Sequence, residues 1–160
     1  MTSTTFSASP IRIGIIGYGN LGRGVEAAIA QNPDMQVVGV FSRRPPAQVK
    51  TVQASTPVFD MAALDAHQGK LDVLLPCGGS KDDLPQQSPA LAAKFNLVDS
   101  FDTHARIPEH FAAVDAAAQA GQTTALISAG WDPGMFSINR VMGQALLPDG
   151  DTYTFWGKGL

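Results

Sequence analysis

The chain has 160 residues, of which 44% are hydrophobic and 16% are charged; this composition is typical of a globular protein with one substantial core. Its 11 basic and 14 acidic side chains give a net charge of -3, which is too small to indicate a nucleic-acid or membrane-surface partner. The single cysteine, Cys77, excludes an intramolecular disulfide and a cysteine-rich zinc site. We therefore expect a cytoplasmic protein that binds a small molecule.

Apolar runs that alternate with helical patterns predict the secondary structure. The strands are predicted at 11–17, 35–42, 71–77, 95–100 and 123–129, and the helices at 21–31, 82–94, 109–119 and 136–147. Several runs are apolar at successive positions, which is typical of parallel strands covered on both faces. The alternation predicts an α/β fold, a Rossmann-type doubly wound parallel sheet.

Three segments fall outside that alternation. Residues 1–10 lack the charge and apolar run of a secretion signal, so we expect a flexible tail. Residues 43–60 contain three prolines and little periodicity, which predicts an irregular surface excursion. A new strand begins at TYTFWGKGL just before the chain ends. We expect a nucleotide domain over 11–128 and the truncated start of an α+β substrate and dimerisation domain over 129–160.

A glycine motif joins the first strand to the first helix. Gly17, Gly19 and Gly22 have the G-x-G-x-x-G spacing, in which the first glycine makes the turn, the second lets a pyrophosphate approach and the third allows close packing. The helix start would then face the phosphates. A glycine-rich turn without ligand is the alternative, but the flanking strand and helix favour a dinucleotide site.

The end of the second strand indicates which dinucleotide binds. Enzymes that use NAD carry Asp or Glu here to hold the ribose hydroxyls, whereas this chain has Ser42, Arg43 and Arg44. Two guanidiniums would bind a 2′-phosphate through hydrogen bonds of about 1.5–3 kcal/mol each. The sequence therefore predicts NADP as cofactor, although a pair of solvated surface arginines would look the same.

Polar side chains also follow the later strands, at the edge where such folds bind ligands. Cys77 has no histidine nearby in the sequence, so we expect a structural thiol and not a nucleophile. His104 with Asp99 and Asp102 suggests a metal, yet a single histidine beside loop acids is more often solvated. We expect no metal site.

Five strings resemble the meso-diaminopimelate dehydrogenase family: GYGNLGR, FSRR, the C-x-G-S turn at 77–80, GWDPGMFSINR at 130–140 and FWGKGL at 155–160. The resemblance covers residues 11–160, and GWDPGMFSINR is far more specific than the glycine loop. It implies NADP-dependent homodimers of roughly twice this length. These enzymes reversibly deaminate the D-centre of meso-2,6-diaminopimelate to L-2-amino-6-oxopimelate and ammonia, in lysine biosynthesis.

The resemblance also assigns site residues. The cofactor contacts that it implies are Tyr18, Gly19, Asn20, Leu21, Ser42, Arg43, Arg44, Cys77, Gly78, Gly79, Ser80, Ser100, Phe101, Asp102, Ala129, Gly130, Trp131, Asp132 and Pro133. The substrate contacts that it implies are Asp102, Asp132 and Trp156. The family has Thr-Tyr where this chain has Ser100-Phe101, a difference that removes a phenol hydroxyl and leaves the carboxylate of Asp102 in place.

Asp102 and Asp132 are the candidate catalytic pair. The substrate ammonium must lose a proton before hydride leaves its Cα, and water must then attack the resulting iminium. A carboxylate becomes a stronger base when it is desolvated or faces a second carboxylate. We therefore expect the two aspartates to hold the ammonium and the water while Trp156 packs over the substrate. For Asp132, a turn-forming role before Pro133 is the alternative.

Two other functions stay open. Another NADP-dependent Rossmann oxidoreductase, such as a dihydrodipicolinate-reductase-like or glucose-fructose-type enzyme, would share the glycines and the basic pair but not GWDPGMF. A non-catalytic NADP-binding module would need no acidic pair. If 160 residues are the whole molecule, we expect weak NADP binding or poor folding and no useful dehydrogenase activity.

Overall fold

The computed structural model describes residues 9–150, in which six strands form one parallel sheet. The strands are β1 (Ile11–Ile16), β2 (Met35–Ser42), β3 (Val58–Asp60), β4 (Val73–Pro76), β5 (Leu97–Val98) and β6 (Ala125–Leu126). The helices are α1 (Asn20–Ile29), α2 (Leu84–Ala92), α3 (Ile107–Gly121) and α4 (Met135–Leu146). The strand order β3-β2-β1-β4-β5-β6 is that of a Rossmann fold, which confirms the predicted fold class.

Two apolar clusters cover the two faces of the sheet. Ile13 and Ile15 of β1 belong to the cluster that contains Ile29 of α1. Ile16, on the other face, belongs to the cluster that contains Leu91 of α2 and Val114 of α3. Burial on both faces explains why the central strands are apolar at successive positions.

Residues 43–60 differ from the prediction in one respect. They contain no α-helix, as expected, and one 3-10 turn at Pro46–Gln48. The prediction was wrong at Val58–Asp60, which form β3 and pair in parallel with β2. The ring of Phe59 stacks on Phe41 of β2 at a centroid distance of 5.4 Å. Only three residues pair, so the strand depends on its neighbour and leaves no periodic pattern.

The other strands and the α-helices lie where they were predicted, with shorter strands at β5 and β6, whereas the 3-10 helix at Met61–His67 was not predicted. β5 and β6 each have two residues because only these positions pair. Pro108 lies in the first turn of α3, where a missing N–H costs no hydrogen bond. The strand expected after residue 151, with Trp156, lies outside the described residues. No helix between residues 9 and 150 combines the length and apolarity needed to cross a membrane.

Candidate functional site

The glycine loop connects β1 to α1 in a tight turn. Gly17 has φ +80°, a conformation that side chains disfavour, and its N–H donates to the carbonyl of Phe41 at 2.9 Å. A Cβ at Gly22 would lie 2.5 Å from the carbonyl oxygen of Gly17. Gly22 therefore lets α1 pack directly against the end of β1, as the motif predicted.

A cleft of about 350 Å³ opens between the carboxyl ends of β1, β2 and β4. It is lined by Gly17, Tyr18, Gly19, Ser42, Arg43, Arg44, Cys77, Gly78, Gly79 and Asp83. Gly19 is the N-cap of α1, and a Cβ there would meet nothing within 4 Å. The first turn of α1 carries no acidic side chain, so no carboxylate of the helix itself offsets the positive potential that its start presents to the cleft.

Both arginines lie at the mouth of this cleft. The Arg44 guanidinium donates to the carbonyl of Tyr18, and its backbone N–H donates to Ser42 Oγ at 3.0 Å. Arg43 forms an ion pair with Asp83 Oδ1 at 2.9 Å, although 70% of the Arg43 side chain is exposed. Asp83 was missed from the sequence because nothing in its local pattern marks a partner forty residues away.

Tyr18 contributes backbone, not its ring, to the cleft. Its hydroxyl donates to the buried carboxylate of Glu26, and both groups accept from the N–H of Val52. Burial alone would raise the pKa of Glu26, but hydrogen bonds from Thr56, Tyr18 and the amides of Val52 and Gln53 lower it. Burial and the Glu26 contact raise the pKa of Tyr18. This network fixes the loop between β1 and α1.

Cys77 follows β4 and is partly buried. Burial raises the pKa of its thiol to about 12, so the thiolate needed for nucleophilic attack is scarce near neutral pH. The Sγ donates to the carbonyl of Leu75 at 3.4 Å. These contacts support a structural thiol beside the glycines of the cleft.

The predicted site residues after β5 lie at the neighbouring strand end. Asp102 is exposed, and its N–H donates to Ser80 Oγ at 3.1 Å, which ties the ends of β4 and β5 together. Ser100 is half-buried. The Phe101 side chain is only 1% exposed and belongs to the core, so any contact from Phe101 to a ligand must come from its backbone.

The segment after β6 carries Asp132. Its Oδ1 is buried without a hydrogen-bond partner among residues 9–150. Two basic side chains lie within 4 Å of that oxygen, with His104 Nε2 at 3.8 Å and Arg140 Nη1 at 3.5 Å. A cis peptide bond joins Asp132 to Pro133. A buried acceptor without a donor is costly, so this oxygen is suited to a ligand N–H.

Other residues of that segment lie close to Asp132. The N–H of Ala129 donates to the carbonyl of Asp99 at 2.8 Å, and Gly130 pairs with Gly134. Trp131 is 65% exposed, and its ring meets Phe136 edge-on at 5.3 Å.

The residues considered for a metal do not form one site. Asp99 is buried and hydrogen-bonds Ser88 and His110, whereas His104 lies beside Asp132. Between residues 9 and 150, no three histidine, cysteine, aspartate or glutamate side chains are arranged to hold a metal ion.

The curated proteins with similar sequences are all named meso-diaminopimelate D-dehydrogenase. The diaminopimelic acid dehydrogenase C-terminal domain matches residues 130–160. A meso-diaminopimelate D-dehydrogenase from Ureibacillus thermosphaericus is 57% identical over 95% of this chain and 46% of its own length. The chain thus spans about half the length of the curated relatives it matches.

Solved structures agree with the sequence comparison. The Corynebacterium glutamicum diaminopimelate dehydrogenase, in complex with diaminopimelate, superposes with a TM-score of 0.82 at 49% identity, covering 95% of this chain and 46% of that one. An engineered D-amino acid dehydrogenase bound to NADP⁺ gives 0.77 at 50% identity, covering 86% and 42%. The resemblance seen in the sequence is therefore confirmed: over nearly its whole length, this chain is similar in sequence and fold to meso-diaminopimelate D-dehydrogenases.

Proposed function

We propose that this chain carries the nucleotide site of an NADP-dependent meso-diaminopimelate D-dehydrogenase. The reaction is the reversible oxidative deamination of the D-centre of meso-2,6-diaminopimelate to L-2-amino-6-oxopimelate and ammonia. The observation that carries the proposal is the cleft in which the start of α1 meets Arg43 and Arg44. The similarity to proteins solved with diaminopimelate and with NADP⁺ supports both ligands.

The cleft fits an anionic dinucleotide. The open space at Gly19 and the uncapped start of α1 suit the pyrophosphate. The hydroxyl of Ser42 and the guanidiniums of Arg43 and Arg44 suit a 2′-phosphate, because guanidinium forks bind phosphate oxygens in pairs. When bound, NADP⁺ supplies the hydride acceptor.

The acidic side chains at the ends of β5 and β6 suit the D-centre. The Oδ1 of Asp132 accepts no hydrogen bond from residues 9–150, although Arg140 lies at ion-pair distance, so it can accept an N–H from the substrate ammonium. The exposed carboxylate of Asp102 can take a proton from that ammonium or from the attacking water. The remaining assignments, Ser100 and Ala129 to Pro133 near the nicotinamide half and Trp156 over the substrate, stay proposals.

The proposed function also implies a division of the chain into three parts. We place a tail at 1–10, the dinucleotide-binding domain at 11–128 and the start of a substrate and dimerisation domain at 129–160. The match of a C-terminal domain from residue 130 supports that boundary.

The cellular setting follows from the reaction. We place the protein in the cytoplasm, in lysine biosynthesis, as a homodimer without nucleic-acid or membrane partners. The net charge of -3 supports the absence of a polyanionic partner. Sedimentation of the purified protein tests the dimer.

The activity is tested by following NADP⁺ reduction at the absorbance of NADPH. The protein is expressed from its complete reading frame, and meso-2,6-diaminopimelate is compared with the L,L and D,D isomers. We expect turnover with the meso isomer and ammonia released in equal amount to NADPH. NADP⁺ binding without turnover of any isomer would contradict the proposed activity and favour one of the two alternatives, a non-catalytic nucleotide-binding module or a different oxidoreductase.

A further inference from the structure

Asp99 lies at the carboxyl end of β5 with its side chain fully buried. Its Oδ1 accepts from the backbone N–H groups of Phe101 at 3.1 Å and Ser128 at 2.9 Å. Its Oδ2 accepts from Ser88 Oγ at 2.6 Å and from His110 Nε2 at 2.7 Å. The carboxylate thus joins two strand ends to α2 and α3.

The two backbone donors belong to the segments that carry the candidate catalytic aspartates. Phe101 immediately precedes Asp102, and Ser128 begins the turn that leads to Asp132. Any buried carboxylate needs hydrogen-bond donors. Here the two donors are backbone N–H groups, so the hydrogen bonds to Asp99 fix the start of both loop segments. The contact therefore sets where the two segments leave the sheet.

Ser128 adds a second sign of constraint. Its φ is +57°, which is uncommon for a residue with a side chain and persists only where the surroundings impose it. The N–H of Ser128 donates to Asp99 Oδ1, and the next N–H, of Ala129, donates to the Asp99 carbonyl at 2.8 Å. Asp99 thus holds both peptide groups of this turn.

His110 fixes the other side of the carboxylate. Its ring is buried and stacks on Phe101 at a centroid distance of 4.1 Å with 18° between the planes. The imidazole therefore restrains both Phe101 and Asp99. Because Asp102 directly follows Phe101 in the chain, the stacking also limits where Asp102 can lie.

We propose that Asp99, supported by His110, is the positioning residue that fixes Asp102 and Asp132 relative to each other at the reacting end of the site. This inference rests on the proposed function. The Asp99 side chain is fully buried, so it has no exposed surface to offer a substrate. Its effect passes through the backbone of two loops, so its loss disturbs the substrate end and spares the adenosine end.

The test compares Asp99→Ala and Asp99→Asn with Thr123→Val as control. Asn keeps an acceptor for the two backbone N–H groups, whereas Ala removes it. Thr123 lies just before β6, at the amino end of the parallel strands and away from the reacting end, and its hydroxyl donates to the carbonyl of Ala92. The control therefore removes a partly buried hydrogen bond from the same sheet without touching the reacting end.

Three quantities are measured in the protein expressed from its complete reading frame: kcat, KM for meso-diaminopimelate, and the calorimetric Kd of 2′,5′-ADP. We expect Asp99→Ala to lower kcat/KM by at least about tenfold, because small misplacements of reacting groups have large effects. Asp99→Asn should recover most of that loss. The Kd of 2′,5′-ADP should be unchanged in every variant, and Thr123→Val should keep the parent kcat/KM.

Equal kcat/KM in Asp99→Ala and Thr123→Val would overturn the inference, as would parallel loss of 2′,5′-ADP binding. If Asp99→Ala does not fold, His110→Gln, which removes the ring on Phe101, should still lower kcat/KM, and an unchanged value would contradict the proposal. A parent protein without turnover would instead overturn the proposed function. Hydrogen exchange then decides: the backbone amides of residues 100–103 and 128–132 must exchange faster in Asp99→Ala but not in Thr123→Val.

Discussion

Arg12 and Arg43 each hold a carboxylate, at opposite ends of the sheet and with different consequences. Arg12 is the second residue of β1. Its backbone N–H and its guanidinium both donate to Asp72, at 2.7 Å in each case. Arg43 makes an ion pair to Asp83 with most of its side chain in water. Exposed pairs of that kind contribute about 0.2–1 kcal/mol, so a ligand phosphate can readily displace Asp83.

The Arg12 contact predicts a pH dependence of stability. Hydrogen bonds from the Arg12 side chain and backbone lower the pKa of Asp72 from 3.8 to about 2. The unfolded chain then binds more protons than the folded one between these values, so this contribution to stability falls as the pH drops from about 4 to about 2.

Asp72→Asn removes this contribution. Urea unfolding at several pH values should show a less steep loss of stability in this acid range than in the parent. An identical slope in both proteins would contradict the assignment. Asp34→Asn, which changes the same charge at an exposed position, is the control.

At this scale the sequence predicted residues that belong to motifs and missed those defined by distant partners. Gly17, Gly19, Arg43 and Arg44, which the motifs single out, line one cleft, and their cofactor contacts stay predictions. Asp83 is forty residues from Arg43, and its role depends on folding. Asp99 was considered for a metal, but its true partners come from two helices and a second strand end. No local pattern contains that information.

Among the elements, the contact between β1 and α1 sets the shape of the proposed phosphate site. Gly22 is buried against the Gly17 carbonyl, whereas Gly24, two residues further along α1, is exposed, and a methyl group added there would meet nothing within 4 Å. The same substitution on one helix therefore has opposite expected effects at the two positions.

Gly22→Ala should lower the free energy of unfolding by about 1–3 kcal/mol, because the added methyl forces α1 away from β1. Gly24→Ala should raise it by about 0.5–1 kcal/mol, since alanine favours a helix more than glycine does. Urea unfolding of both variants measures the difference. Equal stability of the two variants would mean that the close approach at Gly22 is not present in solution.

Element prediction succeeded where burial leaves a periodic or continuous apolar pattern and failed where a strand is too short to show one. The strands β1 and β2 were predicted almost to their ends because their side chains are buried on both faces. β3 has three residues after a proline-containing segment, so its strand conformation comes from pairing with β2. β5 and β6 are shorter than the predicted strands because only two residues of each pair with the other.

On the scale of the whole molecule, the topology brings the candidate site together. The chain leaves β1 toward β2 and β3 and later returns to β4 on the other side of β1. The resulting crevice at the carboxyl ends is where open α/β sheets bind ligands. The groups that we propose to bind phosphate lie at this crevice, and the acidic side chains lie at the neighbouring ends of β5 and β6.

The central claim is that this crevice selects the phosphorylated nicotinamide dinucleotide. Its most direct test is calorimetric titration with NADP⁺ and NAD⁺ of the parent, of an Arg43→Gln/Arg44→Gln double variant and of Arg12→Gln as a control for the loss of an arginine outside the crevice. Charge-assisted hydrogen bonds of about 1.5–3 kcal/mol each predict at least about a hundredfold preference for NADP⁺. The double variant should lose that preference and Arg12→Gln should keep it. Equal affinity of the parent for both dinucleotides, or a preference that survives in the double variant, would contradict the account.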